Sequence, residues 1–156
     1  MAEYKYLFTP IKLGPVVLKN RIVCAAHGTQ LADPVTFMVT EKTKAYYEER
    51  AKGGAGLIVL VSSSVDERAD YFPANNYAFW TDDIIPGLKE LVEICHKYDC
   101  KFFAQPSHPG VHNMCHVQVD EVPMAPSQIP GIEVPNQIPK ALSKEEIWEI
   151  QDKFAS

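Results

Sequence analysis

The sequence predicts an α/β fold in which an N-terminal β-hairpin precedes about three parallel strands that alternate with helices. Three short apolar runs, at residues 21–26, 56–65 and 101–105, have the length of buried strands, and a helix-like segment separates each from the next. Strands and helices in alternation favour parallel pairing through right-handed crossovers. The length of 156 residues allows one domain with a core, so we expect a single domain over residues 1–156.

Composition and charge narrow the class of protein before any motif is considered. Hydrophobic residues make up 46% of the chain and charged residues 22%, as in globular proteins. A net charge of −5 argues against nucleic acid as the main partner, and no apolar run is long enough to cross a bilayer. The N-terminus lacks an apolar signal segment, and the four cysteines form no CxxC pair. We therefore expect a cytoplasmic protein with free thiols.

The first predicted elements are a hairpin and a short strand. The segment LFTPIKLGPVVLKNRIV alternates apolar stretches with the turn pairs Gly14-Pro15 and Lys19-Asn20, which predicts a hairpin that leads into a strand. The run RIVCAA, residues 21–26, is short and apolar. This pattern is typical of a strand that is buried on both faces.

A helix and the strongest strand signal of the chain come next. The helix is predicted to begin after Thr40 and to stop at Gly53-Gly54. The apolar run GLIVLVSSSV, residues 56–65, predicts the second strand. The glycine-rich stretch at residues 53–56 precedes this strand and does not follow one, so it fits a helix stop and a turn better than a phosphate-binding loop.

The second half of the chain continues the alternation. Thr81 is a candidate cap for a helix in which Leu88, Leu91, Val92 and Cys95 recur at helical spacing. KFFAQ, residues 101–105, predicts the third strand, and the seven prolines of residues 106–139 predict a long loop. The segment SKEEIWEIQDKFAS predicts a last helix that begins with a capping box.

Small and polar residues follow each predicted strand. Ala-Ala-His-Gly-Thr at residues 25–29 follows the first strand, a serine triplet at 62–64 follows the second, and Gln105 ends the third. Ligands of parallel α/β folds bind at this end of the strands. Small residues would let a flat ring approach the backbone, and a buried Gln105 amide would pair with a heterocycle. Each segment is also compatible with a structural role, as a tight turn, a locally bonded hydroxyl or a backbone-bonded amide.

A run of histidines follows the third strand. His108, His112 and His116 are four residues apart, and Cys115 precedes the last of them. A proline and a glycine at positions 109 and 110 make a continuous helix unfavourable, so these side chains do not share a helix face. A loop-borne zinc site is one interpretation. We favour another, in which His108 faces a pocket at the strand end and the others are solvated.

Taken together, these segments resemble the N-terminal part of the old yellow enzyme family, the FMN-dependent NADH:flavin oxidoreductases. The hairpin segment resembles the opening of that family, and YYEERAKGGAGLIV resembles its first helix and second strand. FWTDDIIPGLKELVEICHKYDCKFFAQPSHPG resembles the following loop, helix and strand, and PMAPSQIP and LSKEEIWEIQDKFA resemble later segments. The similar segments occur in the order and spacing of the family.

The resemblance implies that the chain is the N-terminal part of a TIM (β/α)8 barrel that binds FMN at the carboxyl ends of its strands. It implies an oxidoreductase that passes hydride from NADH or NADPH through FMN to an electron-poor alkene or a similar small-molecule acceptor. By position in the family, Ser62 would lie near the isoalloxazine, Gln105 would bond its pyrimidine edge, and Gln30 and His108 would lie on the substrate side. The candidates for flavin contact after the first strand are Ala25, Ala26, His27 and Gly28.

The chain departs from the family pattern at several of these positions. Ala26-His27 stands where the family usually has Pro-Met, Gly28 where a Thr or Cys tunes the flavin, and Val111 where an arginine is common. The phosphate site and the substrate-holding residues of the family follow later strands. We therefore expect this chain alone to bind FMN weakly or not at all. Two alternatives stay open: a non-catalytic remnant or half-barrel that assembles with itself or with a second chain, and a metal-binding module that uses His108, His112, Cys115 and His116.

Overall fold

The computed structural model describes the chain in five stretches. They are residues 4–61, 63–69, 77–113, 122–131 and 138–156. Within them a hairpin is followed by strands and helices in alternation, as the sequence predicts. No helix in these stretches combines the length and the apolar character needed to cross a membrane.

The hairpin is formed by β1 (Ile11–Leu13) and β2 (Val16–Leu18), which pair antiparallel. Gly14 and Pro15 make the two-residue turn between them. Gly14 has a φ of 57°, a left-handed conformation that glycine adopts readily because it has no Cβ. The predicted hairpin is therefore confirmed.

The strands and helices after the hairpin are short. In chain order the described strands are β3 (Val23–Cys24), β4 (Leu57–Val59), β5 (Ser63–Ser64), β6 (Tyr77–Ala78), β7 (Lys101–Phe103), β8 (Pro106–Ser107), β9 (Met124–Ala125) and β10 (Lys140–Ala141). The described α-helices are α1 (Glu41–Lys52), α2 (Ile85–His96) and α3 (Lys144–Ala155).

The central sheet consists of β3, β4 and β7, all parallel, with β4 in the middle. Cys24 pairs with Ile58 and Ile58 pairs with Phe102, so the three strands run level and end at one edge. Ile58 is fully buried, whereas Val23 on the outer strand is 48% exposed. The prediction that residues 21–26 are buried on both faces is therefore wrong. β3 is an edge strand, and it has a neighbour on only one side in the described stretches.

Helices α1 and α2 pack against this sheet and against each other. Thr40 caps α1 as predicted, since its hydroxyl accepts a hydrogen bond from the amide of Thr43 at 3.2 Å. Thr81 accepts from the amide of Asp83 and caps a 3₁₀ turn that leads directly into α2. A hydroxyl residue thus sets the start of α1 and of the 3₁₀ turn, whereas Ile84, which directly precedes α2, makes no side-chain cap bond.

The core lies between these two helices and the sheet. Tyr47 comes from α1, Leu91 and Cys95 come from α2, and Ile58 and Leu60 come from the central strand and its end. All five side chains are completely buried. Burying one leucine or isoleucine side chain stabilises a fold by about 1.5–3 kcal/mol, so this contact holds the layers together.

A second parallel sheet, formed by β6, β5 and β8, continues beyond the central one. The amide of Leu60 donates to the carbonyl oxygen of Phe103 at 2.8 Å, and the amide of Ser63 donates to that of Gln105 at 3.0 Å. The predicted strand at residues 56–65 is therefore present as two pieces, β4 and β5. Both pieces keep hydrogen bonds to the same neighbouring segment.

The segment after β7 contains more structure than the sequence predicts. β8, a 3₁₀ turn at Gly110–His112 and β9 lie within residues 106–139, so the prediction of one continuous loop there is wrong. β9 pairs parallel with β10, a contact between residues that are distant in sequence. The local sequence gives little indication of this strand pair, because each strand is only two residues long.

Helix α3 ends the chain and begins with the predicted capping box between Ser143 and Glu146. It buries no side chain. Ile147, Trp148 and Phe154 are 38%, 58% and 46% exposed, so its apolar side faces solvent in this chain.

Candidate functional site

Residues 25–28 leave the carboxyl end of β3 and lie at the exposed edge of the central sheet. Ala25, His27 and Gly28 are exposed, and Ala26 is half-buried. A Cβ added to Gly28 would meet no atom within 4 Å. In the described stretches the amides of His27 and Gly28 donate to no backbone carbonyl. The segment therefore offers an open side and amide donors to a flat, polar ligand.

The His27 side chain is held by two contacts. Nδ1 lies 2.7 Å from the carbonyl oxygen of Ala25, and Nε2 contacts the hydroxyl of Tyr46 on α1. Arg50, one turn further along α1, places its Cζ 3.2 Å from the centre of the Tyr46 ring. The imidazole thus links the strand end to α1.

Gln105 follows β7 at the same edge of the sheet and is exposed. The expectation that it is buried is therefore wrong, because no neighbouring strand covers this side of β7 in the described stretches. Its backbone carbonyl accepts from Ser63, while its carboxamide has no hydrogen-bond partner among the described residues. The side chain is free to present one acceptor and two donors.

The serine triplet after the second predicted strand has a structural role where it can be followed. Ser62 lies outside the described residues. Ser63 and Ser64 are buried, and their hydroxyls donate to the carbonyl oxygens of Val61 and Asp66, each at 2.9 Å. Two of the three hydroxyls are therefore bonded within their own segment.

Gln30 lies on a separate feature, an open cleft of about 520 Å³ at the start of α1. Asp33, Thr40 and Glu41 also line this cleft. Gln30 has a φ of 54°, so its backbone adopts a left-handed turn between the strand end and the cleft. The segment at residues 25–30 therefore joins the end of β3 to this cleft.

His108 is half-buried. Its Nδ1 accepts a hydrogen bond from the amide of Gly110 at 3.2 Å, and its Nε2 is buried without a partner among the described residues. Burial lowers the pKa of His108, and the nearby carboxylate of Asp66 opposes this effect. The inner nitrogen of this half-buried ring is therefore enclosed by the protein, beside a charged group.

That charged group is a buried carboxylate which sequence reasoning missed. Asp66 is completely buried, and its carboxylate accepts from Nε and one terminal nitrogen of Arg68 at 3.1 and 2.9 Å. Lys153 on α3 contacts the same carboxylate at 2.8 Å. Burial alone would raise the pKa of Asp66, but the Arg68 and Lys153 cations hold it well below its usual value. Asp66 and Arg68 are two residues apart, which is a weak signal, and no pattern links them to Lys153.

The histidine run can be followed only in part. Cys115 and His116 lie outside the described residues, and His108 and His112 lie within them. Among the described residues no three histidine, cysteine or acidic side chains come together in a way that could hold a metal ion.

Comparison with known proteins identifies the fold and its lineage. The profile of the NADH:flavin oxidoreductase / NADH oxidase family matches residues 6–156. The chain belongs to this family. The predicted resemblance is thereby confirmed, and with it the α/β architecture of a partial TIM barrel.

Named members of the NADH:flavin oxidoreductase family show how much of the fold is present. The chain is 34% identical to an NADH oxidase of Thermoanaerobacter brockii over 99% of its own length and 23% of that protein. It is 33% identical to an NADPH dehydrogenase of Listeria monocytogenes, covering 95% of this chain and 42% of that one. A solved old yellow enzyme homologue from Zymomonas mobilis superposes with a TM-score of 0.81 at 28% identity, over 95% of this chain and 42% of that structure. The chain therefore spans less than half the length of these relatives.

Proposed function

We propose that the chain forms one side of an FMN site in an oxidoreductase that carries hydride from NADH or NADPH to an electron-poor alkene or a similar small-molecule acceptor. One observation carries the proposal in addition to family membership. The level register of β3, β4 and β7 places residues 25–28 and Gln105 at one exposed sheet edge, and these positions correspond to the flavin contacts implied by the family resemblance.

The residues at this edge fit an isoalloxazine ring. Gly28 leaves open space where a side chain would stand, and the amides at positions 27 and 28 are available as donors. The carboxamide of Gln105 can donate to and accept from the pyrimidine edge at once. FMN, when bound, supplies the hydride-transfer chemistry, and these residues orient the ring.

The site is expected to be partial. The described part of this edge offers amide and carboxamide groups for the ring, and the chain spans 42% of the Listeria relative. We propose that phosphate recognition depends on structure outside these residues, which predicts weak binding by this chain alone.

The thiols of the chain at Cys24, Cys95 and Cys100 are free, which supports a reducing compartment such as the cytoplasm.

The test is to titrate the ¹⁵N-labelled chain with riboflavin and with FMN and to follow amide signals by NMR. Both ligands should shift the signals of residues 25–28 and Gln105, with similar and weak affinity because the ring makes the contacts. Gln105→Ala should weaken binding roughly two- to tenfold, as expected for a lost hydrogen bond. Gln128→Ala, at another exposed glutamine, is the matched control. Shifts confined to other segments would contradict the proposal, and tight stoichiometric FMN binding would contradict its partial character.

A second candidate is a half-barrel that associates with another copy of itself. In the described stretches β3 and β7 are both edge strands of the central sheet, and the apolar side of α3 is exposed. An edge strand has unpaired backbone groups that can bond a strand of another chain, and a parallel sheet is normally covered on both faces. The two edge strands and the apolar side of α3 therefore favour association with another copy. Light scattering after size exclusion should then give a dimer that Trp148→Glu dissociates. A monomer at all accessible concentrations would exclude this candidate.

A further inference from the structure

We propose that His27 is a positioning residue, which ties the end of β3 to α1 through Tyr46 and so holds residues 25–28 in place for the flavin. The proposal rests on the proposed FMN site, because it concerns the segment that would contact the ring. The family resemblance does not supply it, since the family usually has methionine at this position.

The contacts of the imidazole select one tautomer of the neutral ring. A carbonyl oxygen can only accept, so the 2.7 Å contact between Nδ1 and the oxygen of Ala25 requires a proton on Nδ1. In the neutral ring Nε2 then has a lone pair, which accepts from the hydroxyl of Tyr46. Both ring nitrogens are thus used, one towards the strand end and the other towards α1.

Tyr46 is itself firmly held. The guanidinium of Arg50 lies over its ring, and Nη1 of Arg50 donates to the Tyr46 carbonyl oxygen at 2.9 Å. A cation over the face of an aromatic ring is attracted by the ring, which helps to fix the position of Tyr46. The Tyr46 ring also meets that of Tyr47 edge-on, with centroids 5.2 Å apart, and Tyr47 is completely buried. His27 is therefore connected to the core through two aromatic rings.

Without the hydrogen bond between His27 and Tyr46, residues 25–28 have few restraints. Ala25 and Gly28 are exposed, and β3 pairs with β4 only through Val23 and Cys24. Residues 25–28 thus extend past the last paired residue of an edge strand, and His27 makes a side-chain hydrogen bond from this segment to a helix. A ligand that binds these amides gains affinity when they are ordered beforehand.

Histidine NMR tests the tautomer directly, without any flavin. In the Nδ1–H form the unprotonated nitrogen is Nε2 and correlates strongly with both carbon-bound ring protons. In the Nε2–H form the unprotonated nitrogen is Nδ1 and correlates strongly with one. His108 is the internal standard for the second form, because its Nδ1 accepts from the amide of Gly110. The signal that disappears in His27→Gln should show the Nδ1–H pattern; the Nε2–H pattern for His27 would overturn the proposal.

Backbone relaxation tests the positioning. Tyr46→Phe removes only the hydroxyl and should lower the order parameters of residues 26–28 from values typical of rigid backbone to values below about 0.6. Tyr98→Phe is the matched control, since it removes a hydroxyl that bonds Glu48 on the same helix at 2.9 Å. Unchanged order at residues 26–28 in Tyr46→Phe would overturn the proposal, as would an equal loss in Tyr98→Phe.

Two conservative variants separate the contacts of the ring. Glutamine places an amide oxygen near the position of Nε2, whereas asparagine places its amide near Nδ1. His27→Gln should therefore restore much of the order lost in His27→Ala, and adding Tyr46→Phe should remove that rescue. Equal rescue by His27→Asn would overturn the role of Tyr46.

Riboflavin titration then separates this proposal from the proposed function. Tyr46→Phe should weaken riboflavin binding at residues 25–28 roughly two- to tenfold. Equal binding by Tyr46→Phe and the wild type would overturn the positioning role and leave the flavin site intact. If His27 has the Nδ1–H tautomer but riboflavin shifts no signals at residues 25–28 or Gln105, the flavin site is overturned. The role of His27 in positioning these residues for the flavin is then overturned as well.

Discussion

The ammonium group of Lys153 lies 2.8 Å from the carboxylate of Asp66, and this contact fastens α3 to the loop that follows β5. Helix α3 buries no side chain, so its attachment depends on polar contacts of this kind. Asp66 is completely buried, whereas the side chains of Lys153 and Arg68 are 33% and 41% exposed. The carboxylate is therefore the centre of the arrangement, and the two cations reach it from solvent.

Replacing Asp66 by asparagine should lower the free energy of unfolding by about 1–3 kcal/mol, because it removes two charge-assisted contacts from a buried group. Lys153 and Arg68 can turn to solvent in the variant, which keeps the loss below that of a fully buried pair. Urea unfolding followed by circular dichroism measures the change.

Glu49→Gln is the control for this substitution, since it removes the exposed ion pair with Lys52. Its effect should stay within about 0.5 kcal/mol. Equal effects of the two substitutions would show that the buried carboxylate does not stabilise the fold.

The same group predicts how stability depends on pH. The pKa of Asp66 is lowered in the folded state, so its stabilisation is fully present above its usual value near 3.8 and is lost as the pH falls through the folded value. We expect a difference in unfolding free energy between the wild type and Asp66→Asn that is constant from pH 7 to about pH 5 and shrinks below about pH 4. If the difference in unfolding free energy already shrinks between pH 7 and pH 5, the pH dependence arises from a group other than Asp66.

Gly56→Ala should destabilise the chain by about 2–3 kcal/mol through steric overlap. A Cβ at this position would lie 2.5 Å from Oδ1 of Asn20 and 2.8 Å from its carbonyl oxygen. Asn20 cannot move freely, because Nδ2 donates to the carbonyl of Gly54 and Oδ1 accepts from the amide of Ile22. Thermal unfolding would detect the loss.

Gly28→Ala is the matched substitution, since a Cβ there meets no atom within 4 Å. It should change the stability by less than about 0.5 kcal/mol. A large loss in this variant would mean that the strand end is packed and not open.

Two buried tyrosines should respond differently to removal of the hydroxyl. Tyr77 donates to Oγ1 of Thr43 at 3.1 Å, so Tyr77→Phe should lower the unfolding free energy by about 1 kcal/mol. The hydroxyl of Tyr47 is buried without a hydrogen-bond partner among the described residues, so Tyr47→Phe should be neutral or stabilising. Chemical denaturation of both variants measures the contrast, and a larger loss in Tyr47→Phe would reverse it.

The buried thiols should resist alkylation in the folded state. Burial raises the pKa of Cys95 to about 12 and that of Cys100 to about 11, and the thiolate is the reactive form. Iodoacetamide at pH 8 should therefore label Cys24, which is half-buried, before either of them. Peptide mass spectrometry gives the order, and rapid labelling of all three after addition of urea confirms that burial is the cause.

Features set within a few residues were predictable from the sequence. Thr40 and Ser143 cap α-helices as predicted, and Thr81 caps the 3₁₀ turn that leads into α2, because each of these hydroxyls bonds an amide within three positions of itself. The hairpin at Gly14 followed from the same kind of local signal. The alternation of elements and the family resemblance were enough to predict the partial barrel.

Exposure at the sheet edges was not predictable in this way. Val23 and Gln105 lie in segments that resemble buried strands, but their exposure depends on whether another strand lies beside them. The contact of His27 with Tyr46 and that of Lys153 with Asp66 join segments that only the folded chain brings together. Sequence reasoning found the positions at the strand ends, and the structure shows which side chains turn inward.

The level pairing of Cys24, Ile58 and Phe102 has an evolutionary consequence. The backbone pairing of the central sheet ends before residues 25–28 and Gln105, which extend beyond the paired strands. Substitutions at Ala26, His27 and Gly28 therefore put little of the folding free energy at risk. Selection can revise the chemistry of this rim one position at a time, and three departures of this chain from the common family pattern, at Ala26, His27 and Gly28, fall where such revision is least costly.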